Sequence, residues 1–373
     1  MPAPDDFEAW FRLLEAPGLG RGTVRRLLAA CGSPEAVLRT RPGTLRSLAG
    51  ADGAEALIRN QPEIEDRLAV TRRWLDGGDR RGVITLGAPD YPAQLLQTAD
   101  PPLLLYFEGD PRVMSERSLA IVGSRHPTPQ GADNARAFAA AFSRDGWVVV
   151  SGLALGIDAA AHEGALEGVA GTIAVLGTGL DPIYPRANTG LARRIAERGL
   201  LLSEVTPGTP PLRERFPQRN RIIAGLTRGT LVVEAALQSG SLITARQAAE
   251  AGREVFAIPG SIHSPQSRGC HALLKQGAKL VESAADILEE LQGARPAPVS
   301  TSEQAAESRE SPLTRGPADI LLEAMGHDPV TLDALLARTG WPTAELSARL
   351  LELEFDGRVA RLPGGLYQRR GRA

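Results

Sequence analysis

Apolar residues recur in this chain with two different periods, and the change between them divides it. From Val83 onward, short unbroken apolar runs end at glycine or serine and alternate with amphipathic stretches. Runs at 119–122, 148–151, 172–176, 200–204, 231–234 and 255–258, with a later one near Leu280, do not alternate polar with apolar. Such runs predict strands buried on both faces. The stretches between them, 131–144, 157–166, 188–198, 242–251 and 269–276, carry helical periodicity. Strand and helix in alternation predict an α/β fold with a parallel sheet covered on both faces. Residues 103–108 add an edge strand.

The flanks read differently. Residues 5–76 carry short helical patterns, giving a helical domain over 1–80. Pro17, Gly18, Leu19 and Gly20 separate amphipathic stretches 7–14 and 24–28, like the turn of a helix-hairpin-helix or SAM-like unit. That turn could offer backbone N–H groups to a DNA phosphate beside Arg21, Arg25 and Arg26. A helical packing domain is the preferred reading. The α/β region spans 81–292. Residues 293–316 are rich in Pro, Ser, Ala and Glu without a hydrophobic period, which predicts a flexible linker. Beyond it, helices at 318–325 and 332–338, a third from Pro342, and strands at 358–362 and 366–369 about Pro363, Gly364 and Gly365 suggest a winged helix over 317–373. Its third helix holds Glu345, Glu352, Glu354 and Asp356 against Arg349 alone. That acidity opposes phosphate contact and favours a protein-contacting or regulatory wing over a DNA reader.

Composition changes this picture little. With 373 residues and a formal net charge of -2, any attraction to polyanions must come from local patches. All of the 42 basic residues except Lys275 and Lys279 are arginine, a skew that genomic base composition explains, so position rather than type must single one out. Cys31 and Cys270 make no disulfide framework, and the absence of a long apolar span or leader predicts a soluble cytoplasmic protein without a membrane span.

The candidate chemistry lies at strand ends. Gly123, Ser124 and Arg125 follow the first strand, where a glycine lets backbone approach an anion and a guanidinium can fork two hydrogen bonds onto a phosphate. Ser151, Gly152, Gly156 and Asp158 form a second such loop; Asp158 and His162 share a helix face, yet the glycine-flanked serine of a hydrolase is missing. Gly177, Thr178 and Gly179 begin like a dinucleotide fingerprint, but Leu180, Asp181 and Pro182 break it, and no Walker-type lysine occurs. No cofactor is therefore expected. Arg186 and Asn188 open the next helix. A basic turn from Phe216, with Arg219, Asn220 and Arg221, precedes an apolar helix, and Ser239, Gly240 and Ser241 precede another, where free N–H groups gather. Together these cations and helix starts make a rim suited to a strand of several phosphates, with Tyr184 and Phe216 available for stacking. His263, Cys270 and His271 fall short of a zinc pattern. Ile262, His271, Leu273, Leu274 and Leu280 supply apolar surface near the last strand, either core or a homodimer contact.

The runs AIVGSR (120–125), SGLALGIDAAAH (151–162), LGTGLDPIYPRAN (176–188), FPQRNRIIAGL (216–226), VVEAALQSGSLITA (232–245) and REVFAIPG (253–260) resemble, in order, those of the DNA-processing protein A (DprA/Smf) family. The resemblance spans roughly 91–290. It implies an extended Rossmann-like sheet that binds single-stranded DNA by its backbone, forms a homodimer, loads the RecA recombinase during natural transformation, and has no catalytic residues. Matched by motif, Arg125 and Arg186 would be DNA-contacting cations. Asn220, Arg221 and Ser239 to Ser241 would line the groove, and His271 and Leu280 would fall at the dimer contact. The rival reading is a nucleotide-processing, phosphoribohydrolase-like enzyme built on Gly229, Thr230 and Glu234, although there the Gly-Thr pair should follow a strand rather than precede it.

Overall fold

The computed structural model describes residues 6–59, 61–262, 264–292, 317–325 and 329–370. The linker expected over 293–316 and His263 lie outside the described residues. Five helices come first: α1 (Phe7–Glu15), α2 (Arg21–Cys31), α3 (Pro34–Leu38), α4 (Pro42–Ile58) and α5 (Pro62–Asp76). Their apolar faces meet in a core of Phe7, Trp10, Phe11, Leu27 and Leu68. The same core continues into Leu104, Tyr106 and Leu176 of the sheet, so the front helices are packed onto the α/β region rather than tethered beside it.

The sheet has nine strands: β1 (Arg81–Thr85), β2 (Leu104–Gly109), β3 (Ser118–Val122), β4 (Val148–Ser151), β5 (Thr172–Leu176), β6 (Leu200–Ser203), β7 (Gly229–Val232), β8 (Glu254–Ala257) and β9 (Lys279–Leu280). Their order is β1-β2-β6-β5-β4-β3-β7-β8-β9. Strands β3 to β9 pair in parallel, as the unbroken apolar runs predict, and every residue of β3, β4 and β5 is buried. The expected edge strand is β2, but it is not at the edge. It pairs antiparallel with β6 on one side and with β1 on the other. Between the strands run α6 (Ala93–Leu96), α7 (Pro129–Arg144), α8 (Ile157–Ala165), α9 (Thr189–Arg198), α10 (Arg215–Leu226), α11 (Ser241–Glu250), α12 (Arg268–Lys275) and α13 (Ala284–Gln292).

Local chemistry sets the helix that follows the β3 loop. In α7, Pro129 stands where a missing N–H costs nothing, and the Thr128 hydroxyl accepts from Gly131 N–H at 3.0 Å. Ala135, Phe138, Ala139 and Phe142 then fall on one stripe and are buried against the sheet. Phe142 meets Trp147 edge to face at 6.1 Å; full burial of such a ring stabilises by about 1.5–3 kcal/mol.

The last unit comprises α14 (Pro317–Met325), β10 (Val330–Thr331), α15 (Leu332–Thr339), α16 (Thr343–Phe355), β11 (Val359–Leu362) and β12 (Leu366–Arg369). The strands form a separate antiparallel sheet, β10-β12-β11, over a core of Leu321, Leu335, Leu346, Leu350 and Leu353. This is a winged helix. Among the described residues no helix is long and apolar enough to cross a membrane.

Candidate nucleic-acid interface

The chain leaves β3 toward β4 on one side, whereas β7, its neighbour on the other side, continues outward to β8. The sheet therefore reverses its winding between β3 and β7, and the loops beyond their carboxyl ends splay apart; open α/β sheets bind ligands in such a crevice. A cavity of about 750 Å³ opens there. Its lining includes Gly123, Ser124, Arg125, Tyr184, Arg213, Phe216, Arg219, Asn220, Ser239, Gly240 and Ser241, drawn from four separate segments.

The loop after β3 is held from beneath by Glu234. Ser124 N–H donates to the Glu234 carbonyl at 2.7 Å, and the Thr128 N–H and hydroxyl both donate to its carboxylate, at 2.9 and 2.5 Å. Burial raises the Glu234 pKa, and the two Thr128 bonds work against that rise. Only glycine fits at 123, where a Cβ would stand 2.7 Å from Ile157 Cγ1 and 2.9 Å from the Glu234 carbonyl oxygen. Arg125 thus springs from a fixed base while its own side chain is exposed. Its guanidinium lies 5.9 Å from the Phe216 ring centre, and Phe216 in turn lies 5.8 Å from Tyr184, tilted by 48°. A cation followed by two rings offers a phosphate contact beside a stacking surface.

Arg219 is a cation of another kind. It is buried, donates to the Val175 carbonyl and, through Nε, to Asn220 Oδ1 at 3.2 Å. Burial lowers its pKa to about 10, with the charge of Asp158 opposing, so it stays charged at neutral pH. Asp158 accepts from the N–H groups of Gly152 and Ala154 at 3.1 and 3.3 Å; burial raises its pKa, and Arg219 counteracts this. Gly152 leaves room for the guanidinium: a Cβ there would stand 2.1 Å from Arg219 Nη1. Asn220 donates to the Gly240 carbonyl at 3.3 Å, tying α10 to the loop before α11, where the Ser239 and Ser241 hydroxyls are 2.7 Å apart.

Several expected site residues serve elsewhere. The basic turn from Phe216 to Arg221 is the opening of α10 rather than a turn before it. Arg219 and Arg221, two residues apart on that helix, therefore face about 200° from each other. Arg221 lies outside the cavity lining: its guanidinium is held by Glu204 at 2.6 Å and Asp100 at 2.9 Å. Arg21 joins the same cluster at 2.8 Å from Glu204 and 3.0 Å from Asp100, and Arg25 pairs with Asp100 as well. Burial alone would raise the Asp100 pKa, yet the Arg25 hydrogen bond and the charges of Arg221 and Arg21 bring it below the usual value. Arg21 and Arg25 beside the Pro17–Gly20 turn thus dock the front helices on the core, as a packing domain requires, whereas Arg26 donates to Thr23 Oγ1 of its own helix at 3.0 Å. Asn188 does not cap its helix; its amide donates to the Leu153 and Ala154 carbonyls at 2.9 and 3.2 Å and braces the loop after β4. Ser151 is fully buried, donating to the Ile121 carbonyl at 2.6 Å. Arg186 is exposed, outside the lining but two residues beyond Tyr184, which belongs to it.

Arg213 is the lining cation that sequence reasoning missed. It sits in the proline-rich approach to α10, which carries no hydrophobic period, and only its place just before a helix could have marked it. Gly229 and Thr230 lie inside β7 and Glu234 is engaged by Thr128, so the rival enzyme's residues form no open site. Among the described residues no group of His, Cys, Asp and Glu is arranged to hold a metal. Near the sheet edge, Ile262 and Leu280 are 75% and 50% exposed, Leu274 packs partly on the core, and a ring nitrogen of His271 lies 2.9 Å from the Gly260 carbonyl oxygen.

Residues 82–292 match the family model described as DNA recombination-mediator protein A, and 303–365 match that of the DprA winged helix domain. The chain belongs to the DNA processing protein A (DprA/Smf) family. Protein Smf of Escherichia coli K12 is 40% identical over 370 residues, 98% of this chain and 96% of its own. DprA of Bacillus subtilis is 46% identical over 232 residues, 61% of this chain and 78% of its own. Among solved structures, Streptococcus pneumoniae DprA superposes with a TM-score of 0.67 at 37% identity, covering 76% of this chain and 97% of that one. Helicobacter pylori DprA, whose structure concerns a unique single-stranded DNA binding mode, gives 0.52 at 32% identity, covering 56% and 95%. The switch-point cavity lies wholly within the span of the DprA/Smf core match.

Proposed function

We propose that this chain binds single-stranded DNA by its sugar–phosphate backbone in the switch-point groove, without catalysis, and acts as a homodimeric mediator that loads a RecA-type recombinase on DNA taken up in natural transformation. The row formed by Arg125, Phe216 and Tyr184, with Arg213 in the same cavity, carries this reading. Cations positioned on fixed loops hold phosphates, and rings stack on bases of any sequence, which is the chemistry a sequence-independent strand binder needs. The relatives named for DNA processing support the same reading. The exposed Ile262 and Leu280 at the sheet edge suit a symmetric contact.

Fluorescence anisotropy on labelled single strands tests the groove. Arg125→Ala and Arg213→Ala should each weaken binding about tenfold, and affinity should fall linearly with salt on a log–log plot. Wild-type affinity in both variants, or equal binding to duplex, refutes the proposal. Release of free base from a nucleoside monophosphate would revive the enzyme reading. Recombinase filament assembly on single strands, with and without the protein, tests loading, and sedimentation of an Ile262→Glu, Leu280→Glu variant tests the dimer.

A further inference from the structure

A second cavity, of about 270 Å³, lies against a neighbouring face of α10, between the front helices and the sheet. Its lining divides by chemistry. Phe11, Leu14, Leu103 and Leu176 supply an apolar body, whereas Arg215 and Gln218 supply hydrogen-bond donors. Six of its residues are ionic: Arg21, Arg67, Arg215 and Arg219 against Glu15 and Glu204, an excess of two positive charges. Two of the arginines are neutralised in place, Arg67 by Glu15 and Arg21 by Glu204. Arg219 is buried and answers to Asp158 and the Val175 carbonyl.

Arg215 has no such answer. No carboxylate reaches ion-pair distance of it among the described residues, and its Nη1 is buried without a hydrogen-bond partner. Arg215 is half-buried, so its guanidinium lacks a counter-charge within the protein while lining the cavity, where an anion can meet it. We infer that the cavity between the front helices and α10 is a binding site for a small organic anion, with Arg215 and Gln218 taking its carboxylate or phosphate and the apolar wall taking its body. The size suits one compact molecule near the lower limit of ligand pockets. This site shares Arg219 with the groove, but Arg215 and Gln218 do not line the larger cavity, so the inference stands whatever the groove binds.

Isothermal titration of the full chain with benzoate, adenosine 5′-monophosphate, inorganic phosphate and adenosine tests it. Saturable binding of benzoate or the monophosphate is expected, with inorganic phosphate weaker for want of a body and neutral adenosine weaker for want of charge. Arg215→Gln should weaken the organic anion about tenfold or more, the worth of a charge-assisted hydrogen bond, with single-strand affinity unchanged as a check on folding. Leu14→Trp, which fills the cavity without touching charge, should abolish the same binding. No saturation by either organic anion up to about 5 mM, an affinity too weak for a formed site, overturns the inference, as does undiminished binding in both variants.

Discussion

Gly152→Ala isolates the buried guanidinium of Arg219 from every other feature of the groove. The backbone at 152 is not in the left-handed region, so alanine meets no strain there. What it meets is Arg219: the new Cβ would lie 2.1 Å from Nη1 and 2.5 Å from Cζ and Nη2. The side chain must withdraw, losing its bond to the Val175 carbonyl and the 3.2 Å bond to Asn220, and leaving Asp158 without its opposing charge. A hydrogen bond to a charged group contributes about 1.5–3 kcal/mol, and an unbalanced buried charge adds to the loss, so destabilisation of about 2–4 kcal/mol is expected. Urea unfolding measures it, and a double-mutant cycle assigns it. In an Arg219→Ala background the clash has nothing to strike, so adding Gly152→Ala should cost almost nothing further. Additivity of the two changes within about 0.5 kcal/mol would refute the reasoning.

Further consequences can be measured on the same protein. Glu234→Ala removes the acceptor beneath the Arg125 loop and should weaken single-strand binding about tenfold, with Glu234→Gln restoring most of it; equal loss in both would mean the carboxylate's charge, not its hold on Thr128, matters. His162 is buried against Thr172, and burial, helped by the Arg219 charge, lowers its pKa from 6.5 to about 3. The unfolded chain takes up a proton below pH 6.5 that the folded chain refuses, so stability is full above that pH and falls as pH drops toward 3. Between pH 7.5 and 5.5 the wild type should lose about 1.4 kcal/mol more than His162→Gln, read by urea midpoints; identical profiles would exclude His162 as the source. Arg221→Ala should loosen the front helices by about 2 kcal/mol, seen as faster proteolytic release of residues 1–80, while reducing single-strand affinity far less than Arg125→Ala.

The parallel strands were legible because double-sided burial demands unbroken apolar runs, and 119–122 and 172–176 coincide with β3 and β5 almost residue for residue. Strand β1 was not, since Arg81 and Gly82 begin it without apolar signal, and its pairing with β2 is a long-range choice that local pattern does not encode. Loop glycines pointed to the crevice where the loops after β3 and β7 part. Arginines did not sort themselves: Arg219 and Arg221 have the same side chain two residues apart, and reading their segment as a turn hid the helical rotation that sends one to Asp158 and the other to Glu204. Asn188 and Ser151 have polar side chains at strand ends, as ligand contacts do, but backbone carbonyls claimed them first.

Helix α10 is a shared wall, with the groove against one face and the ionic cluster of Arg21, Arg25, Asp100 and Glu204 against the other. The front module is for that reason not freely exchangeable. A chimera bearing a foreign helical front would leave Glu204 and Asp100 short of arginines and would shift the seat of Phe216 and Asn220 at the same stroke, so grafts in this architecture should be cut to carry α10 and its acidic partners along with the helices they hold.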